Sequence, residues 1–225
     1  MISAQRTAAR HGEVRWPATV AVVVAATSYA ILPSRLLLEP RWLIPAVEVA
    51  LLASLIVVNP TRLTTETRWS RVASLILATI IIAANVLSLV LLIHALTTVR
   101  SISGRELLLS ALQVWVTNMI AFALVYWELD RGGAVARLPS SAVSTRPPDF
   151  LFPQDDPNVA KMVRPDPWMP EFVDYLFMSI TNSTAFSPTD TLPLTARAKV
   201  LMSVEAIAAL ITSLLVIARA VNVLR

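Results

Sequence analysis

Five apolar runs dominate the chain, at about 17–38, 43–59, 72–97, 107–127 and 198–224. A helix needs about 20 apolar residues to cross the hydrocarbon core of a bilayer. The third, fourth and fifth runs meet that length. The first carries Pro33 and Arg35 near its end, and the second is short and holds Pro45 and Glu48. The second run therefore reads either as a shortened span or as a partly re-entrant segment. Only 15% of the residues are charged and 56% are hydrophobic, whereas a soluble domain carries roughly 25% charge. The chain reads as an all-α integral membrane protein, with the lipid bilayer as its first partner.

The basic balance does not point to nucleic acid. Arginines are scattered at the ends of apolar runs and form no basic face. The absence of Cys excludes a disulfide framework and a thiolate metal site. His11 and His94 alone make no metal centre, so neither metal nor cofactor is expected. Nucleophile-elbow, Walker, dinucleotide-binding and zinc-protease patterns are all missing, which argues against an enzyme. Residues 1–16 form a polar, basic N-terminal segment without a clear cleavage site, so the first apolar run reads as a retained anchor. Trp16, Trp42, Trp69, Trp127 and Trp168 stand at or near the ends of apolar runs, as in an interfacial belt.

Residues 128–170 concentrate proline and contain Gly132-Gly133 with charges of both signs, the composition of an irregular aqueous loop. Asp155-Asp156 within it read as solvated charge. The stretch 171–183 opens on Pro170 and Glu171, a helix-start signal. A helix of that length rises only about 20 Å and is too short to span. It stops in a Ser/Thr/Pro segment between two full spans. Irregular backbone at membrane depth survives only beside protein or a water-filled cavity, so the stretch reads as a re-entrant helix and loop.

From here the residues resemble a known family. The order span (107–127), loop (128–170), short helix (171–183), polar loop (184–193) and last helix (198–224) is similar to the two-transmembrane pore module of tetrameric potassium-type channels. The family's T-T-V-G-Y-G-D-x-x-P runs parallel to T-A-F-S-P-T-D-T-L-P at 184–193. Thr184, Asp190 and Pro193 match. Lys199, Glu205 and Ala218-Arg219 match, in spacing, a pattern of bacterial modules of this kind. The resemblance divides the chain into N-terminal helices at 17–105 and a pore module at 106–225. It implies four to five transmembrane helices plus a pore helix, a homotetramer, and small ions as the transported species.

The centre of the loop departs from the family. Ser187-Pro188-Thr189 replace the G-Y-G triplet, whose glycines let the filter turn its carbonyls inward. Proline fixes its own φ and restricts Ser187, so the usual carbonyl rings are not expected. Ala209 stands where many relatives place a hinge glycine. Ion identity is therefore open. Cations are favoured, because the C-terminal end of the short helix and a ring of Asp190 side chains would both present negative charge.

The filter-like residues are Thr181, Asn182, Ser183, Thr184, Ala185, Phe186, Ser187, Pro188, Thr189 and Asp190. A structural plug, with its hydroxyls satisfied internally, is the competing reading of this segment. Glu205, Thr212 and Arg219 recur every seven residues on one stripe of the last helix. Gln113 and Thr117, with Glu106 and Ser110, repeat that pattern on the fourth helix. These polar groups either line a pore or form an interhelical network. The plainer reading is that Ser and Thr bond their own backbone and that Glu106 and Arg219 sit near the interfaces. Asn85 and Ser88 read as helix-packing contacts, and Glu48 is an open candidate.

The resulting expectation is a multi-pass protein of a bacterial plasma (inner) membrane, an ion-channel-like pore of unknown selectivity. The alternative is a non-conducting scaffold or partner subunit with the same fold. Family geometry places the C-terminus inside. Arginine counts leave the N-terminus open.

Overall fold

The computed structural model describes residues 13–32, 46–47, 49–50, 52–53, 68–98, 104–137, 147–163, 168–184 and 190–223. Its helices are α1 (Trp16–Ile31), α2 (Arg68–Thr98), α3 (Gly104–Leu129), α4 (Pro157–Val163), α5 (Phe172–Thr184) and α6 (Ala196–Val223). Two short strands, β1 (Phe150–Leu151) and β2 (Leu192–Pro193), pair antiparallel with Phe150 opposite Pro193. The segments Arg71–His94, Arg105–Gly132 and Ala196–Ala218 are long and apolar enough to cross a membrane. The protein is thus a predominantly helical, membrane-embedded chain. α1 is apolar but shorter, because the helix ends at Ile31, just ahead of Pro33. Most of the 43–59 run, Glu48 included, lies outside the described residues.

The centre of the bundle is α3. Every residue from Asn118 to Glu128 is buried, and a helix apolar on all sides must be surrounded. Ala121 and Ala123, with no exposed surface, let neighbouring backbones come close. α1, α2, α5 and α6 all pack on α3. One core cluster joins Ala18, Leu77, Phe122, Tyr126, Phe172 and Met202, while a second joins Tyr29, Leu32, Leu92 and Leu107.

Side-chain bonds establish which helix ends lie together. The end of α3 meets the start of α2 through Arg71, which donates to the Gly132 carbonyl. It meets the residues before α1 through Glu13, whose carboxylate accepts from Trp127 Nε1 at 2.8 Å. Arg15 lies beside Glu128; burial lowers its guanidinium from the usual range and the carboxylate opposes that shift. The second cluster marks the opposite end, where Leu32, Leu92 and Leu107 pack together. Among the described helices α1 and α2 therefore both run from the Leu129 end to the opposite one, α3 runs back, and α6 runs away again.

Two expectations change. Part of 128–170 is not open aqueous loop, while Asp156, Asn158, Lys161 and Met162 remain exposed. Asp130, Arg137, Asp149, Phe150 and Phe152 are all buried, because this segment folds back over the top of α3 and satisfies its polar groups there. Asp155 is held by Arg131 at 2.7 Å and caps the Phe152 amide at 2.9 Å, so it is a structural carboxylate. The tryptophan belt also divides. Trp16 and Trp69 are exposed at one end of the bundle, whereas Trp127 is 7% exposed because its indole N–H is bound by Glu13. Trp168 packs on Phe152, and Trp42 lies outside the described residues.

Candidate functional site: a buried polar hub around Glu205

The short helix α5 begins at the same end as Leu129. Its first free amides are taken by carboxylates: Phe172 N–H donates to Glu13 at 2.6 Å and Glu171 N–H to Asp174 at 2.7 Å. Helix starts favour negative charge for this reason. Tyr175 donates its hydroxyl to Asp130 at 2.5 Å. Tyr175, Met178, Ser179, Asn182 and Ser183 form the buried face, while Val173, Phe177 and Ile180 point outward.

Its far end stops at Glu205. That residue has 0% exposure in mid-helix. Tyr126 donates to Oε2 at 2.6 Å, and Asn182 Nδ2 to the same oxygen at 2.6 Å. Ser183 reaches Oε1 at 3.1 Å, and Ser179 also contacts Oε1. Three helices therefore meet on one carboxylate. Met119, whose carbonyl bonds Ser179 at 2.7 Å, lies about 15 Å from the Leu129 end at 1.5 Å per residue. The chain then comes back: β2 pairs with β1, and Leu194 N–H donates to the Asp149 carbonyl at 2.8 Å. Asp149 N–H in turn donates to Asp130 at 2.7 Å. α5 therefore runs from one end of the bundle to the level of Glu205, and β2 lies at the end where α5 began.

A polar chain continues from the hub towards α1. Asn118 Nδ2 approaches the Glu205 carbonyl at 3.4 Å. Asn85 donates to Asn118 at 3.0 Å, and Thr117 to Asn85 at 3.0 Å. Thr117 and Gln113 then line a narrow crevice together with Ser28, Tyr29 and Ser88.

The expected site residues separate accordingly. Glu205, Asn182 and Ser183 come together. Gln113 and Thr117 border the crevice. Thr212 is buried but bonds its own helix at the Ala208 carbonyl, 2.8 Å away. Thr181 and Thr184 likewise bond carbonyls one turn back. Asp190 is exposed. Ala185, Phe186, Ser187, Pro188, Thr189 and the side chain of Arg219 lie outside the described residues. On the α6 stripe Glu205 bonds across to α3 and α5, whereas Thr212 bonds the backbone of its own helix.

Tyr126, Ser179 and Asn118 belong to the hub but were not singled out from sequence. The i, i+4 pair Ser179/Ser183 with Asn182 was the available signal, since it puts three polar groups on one face of a short helix.

The second polar layer, at the α3 end, was also missed. Asp130 accepts from the amides of Asp149 and Phe150 and from Tyr175. Asp149 binds Arg197 and accepts from Thr195 at 2.5 Å. Arg137 donates to the Trp127 carbonyl at 2.7 Å, pairs with Glu13 at 3.4 Å and stacks over Tyr175. This layer clamps the start of α5 and the start of α6 to the top of α3. Among the described residues no group of acidic, His or Cys side chains is arranged to hold a metal.

The chain was compared with protein-family models, curated proteins and solved structures, and nothing matches in any of the three.

Proposed function

We propose that residues 106–225 form the subunit of an oligomeric membrane pore that favours cations, with α5 as its re-entrant pore helix and 184–193 as its filter-like loop. The observation that carries this reading is that α5 starts at one end of the bundle and ends at the depth of Glu205, while β2, only a few residues later, is back at the end where α5 started. A segment bonded on one side to α3 and α6 and bare on the other, at Val173, Phe177 and Ile180, suits a helix completed by neighbouring copies. α1 and α2 descend in parallel, α3 ascends and α6 descends. This fits five crossings in all if the chain between α1 and α2 crosses once more, with the N-terminus on the same side as 128–170 and the C-terminus opposite, in the cytoplasm. The homotetramer and the bacterial inner membrane belong to the same proposal.

Ion flux through the purified protein in liposomes, together with its mass in detergent, tests it. The expected result is a tetramer that passes potassium or sodium faster than chloride. The reading fails if none of the three ions crosses while a folded Ser187/Pro188/Thr189→Gly variant also stays closed, or if the mass is that of a monomer. One observation favours a non-conducting scaffold instead: beyond Ser203 the outward face of α6 is apolar, at Val204, Ile207, Leu210, Leu214 and Ile217. A tetramer without flux would select that reading.

A further inference from the structure

Around Glu205 the hydrogens can be counted. Six hydrogen-bonding contacts surround the carboxyl group and its immediate partners. Oε2 meets Tyr126 and Asn182, and Oε1 meets Ser179 and Ser183. Asn182 Nδ2 also meets the Met202 carbonyl at 3.0 Å, and Ser179 Oγ the Met119 carbonyl at 2.7 Å. The side chains of Tyr126, Ser179, Asn182 and Ser183 supply only five hydrogens between them. The shortage falls on Ser179, whose single hydroxyl hydrogen faces two acceptors, the Met119 carbonyl and Glu205 Oε1. One hydrogen on the carboxyl group completes the set.

We propose that Glu205 is a proton-binding site inside the membrane-embedded bundle, and that in the packed structure its Oε1 carries the proton. The carboxyl then donates to Ser179 Oγ, and Ser179 donates to the Met119 carbonyl. The proton is taken from water and returned to it, with no change in oxidation state. Charge burial points the same way. Every group touching the carboxyl is uncharged, and no Lys, Arg or His among the described residues contacts it. An unpaired carboxylate in an apolar bundle is strongly disfavoured, and a neutral carboxyl is not. Tyr126 is the other titratable group in contact. α5 contributes Ser179, Asn182 and Ser183, and α2 reaches the cluster only through Asn85 and Asn118. Tyr175 and Asp130 lie one layer nearer the α3 end, beyond the Phe150 ring. Loss of the proton leaves an anion without a cation and returns Ser179 to two acceptors, so it loosens α5 from α3.

Infrared difference spectroscopy of the protein in lipid bilayers tests the assignment. A carboxylic C=O band is expected at neutral pH in the wild type, absent from Glu205→Gln and fading as pH rises. Thermal unfolding across the same range, measured in a Glu13→Gln background because burial raises that carboxyl too, should show stability falling with pH. Adding Glu205→Gln, which carries its own N–H, should flatten the profile. If Glu205→Gln does not fold, Ser179→Ala serves in its place: it removes the carboxyl's acceptor and should shift the C=O band to higher frequency. The proposal is overturned if no band depends on Glu205 at any pH where the protein is folded, if the stability profile is the same with and without Glu205, or if the band ignores Ser179→Ala. None of these readouts requires conduction, so they stand or fall apart from the pore.

Discussion

Replacing Asp130 with alanine should be among the most damaging single changes in the chain. The side chain has no exposed surface. It accepts from Asp149 N–H at 2.7 Å, from Phe150 N–H at 3.3 Å and from the Tyr175 hydroxyl at 2.5 Å, and it lies 3.5 Å from Arg131 Nε. Alanine leaves two backbone amides and a phenol without their acceptor in a water-poor layer. Hydrogen bonds to charged groups are worth about 1.5–3 kcal/mol each. These donors share one rigid unit, so their losses do not simply add. The expected cost is about 3–5 kcal/mol, as for the removal of one partner from a buried ionic cluster. Asp130→Asn keeps one acceptor oxygen, and the phenol oxygen can accept from the new amide, so its cost should be about 1–2 kcal/mol. Reversible unfolding in detergent, followed by fluorescence of Trp127 and Trp168, measures both. A loss below about 1 kcal/mol for Asp130→Ala would refute the view that this layer clamps α5 and the 149–151 segment to α3.

Further outcomes follow from the same geometry. Burial raises the Glu13 carboxyl above its usual range, against the lowering effects of Arg137, Trp127 and the Phe172 amide. A raised carboxyl favours the folded state while protonated, so its contribution is complete below pH 4.5 and is lost as pH rises through the elevated value. Glu13→Gln should therefore flatten that part of a pH–melting profile. A double-mutant cycle between Asn85→Ala and Asn118→Ala should return a coupling of about 0.6–1.7 kcal/mol, the range for side-chain bonds between membrane helices; a value indistinguishable from zero would remove the polar chain from the account. Because the sequence has no Cys, single cysteines report topology without background. Met162→Cys, exposed by 85%, and Arg105→Cys should react with a membrane-impermeant thiol reagent from opposite sides, and labelling of both from one side would contradict the five-crossing arrangement.

Much of the architecture was legible because long apolar runs leave little choice. The runs 72–97, 107–127 and 198–224 became Arg68–Thr98, Gly104–Leu129 and Ala196–Val223. The start signal at Pro170-Glu171 preceded a helix at Phe172–Thr184. The helix ends extended by a few residues because flanking Arg, Ser and Thr continue a helix even where they no longer favour lipid. The buried part of 128–170 was not foreseen, for a physical reason. Proline and mixed charge describe what a segment can do alone. They do not show that Asp130, Arg137 and Asp149 have complementary partners on α3, α5, α6 and the residues before α1.

Hydropathy and helix-start chemistry determined by themselves that this chain enters a membrane as helices, and that a short amphipathic helix interrupts the last two. Spacing also brought Glu205 forward, since a carboxylate in an apolar run is costly wherever it points. Only the tertiary structure decided what faces it. Tyr126, Ser179, Asn182 and Ser183 come from two helices distant in sequence, and their convergence depends on how α5 settles between α3 and α6. One-dimensional order cannot encode that meeting, because it arises from packing one helix face against another. The same packing turned Thr212 inward and placed the N-terminal Glu13 on the first amide of α5.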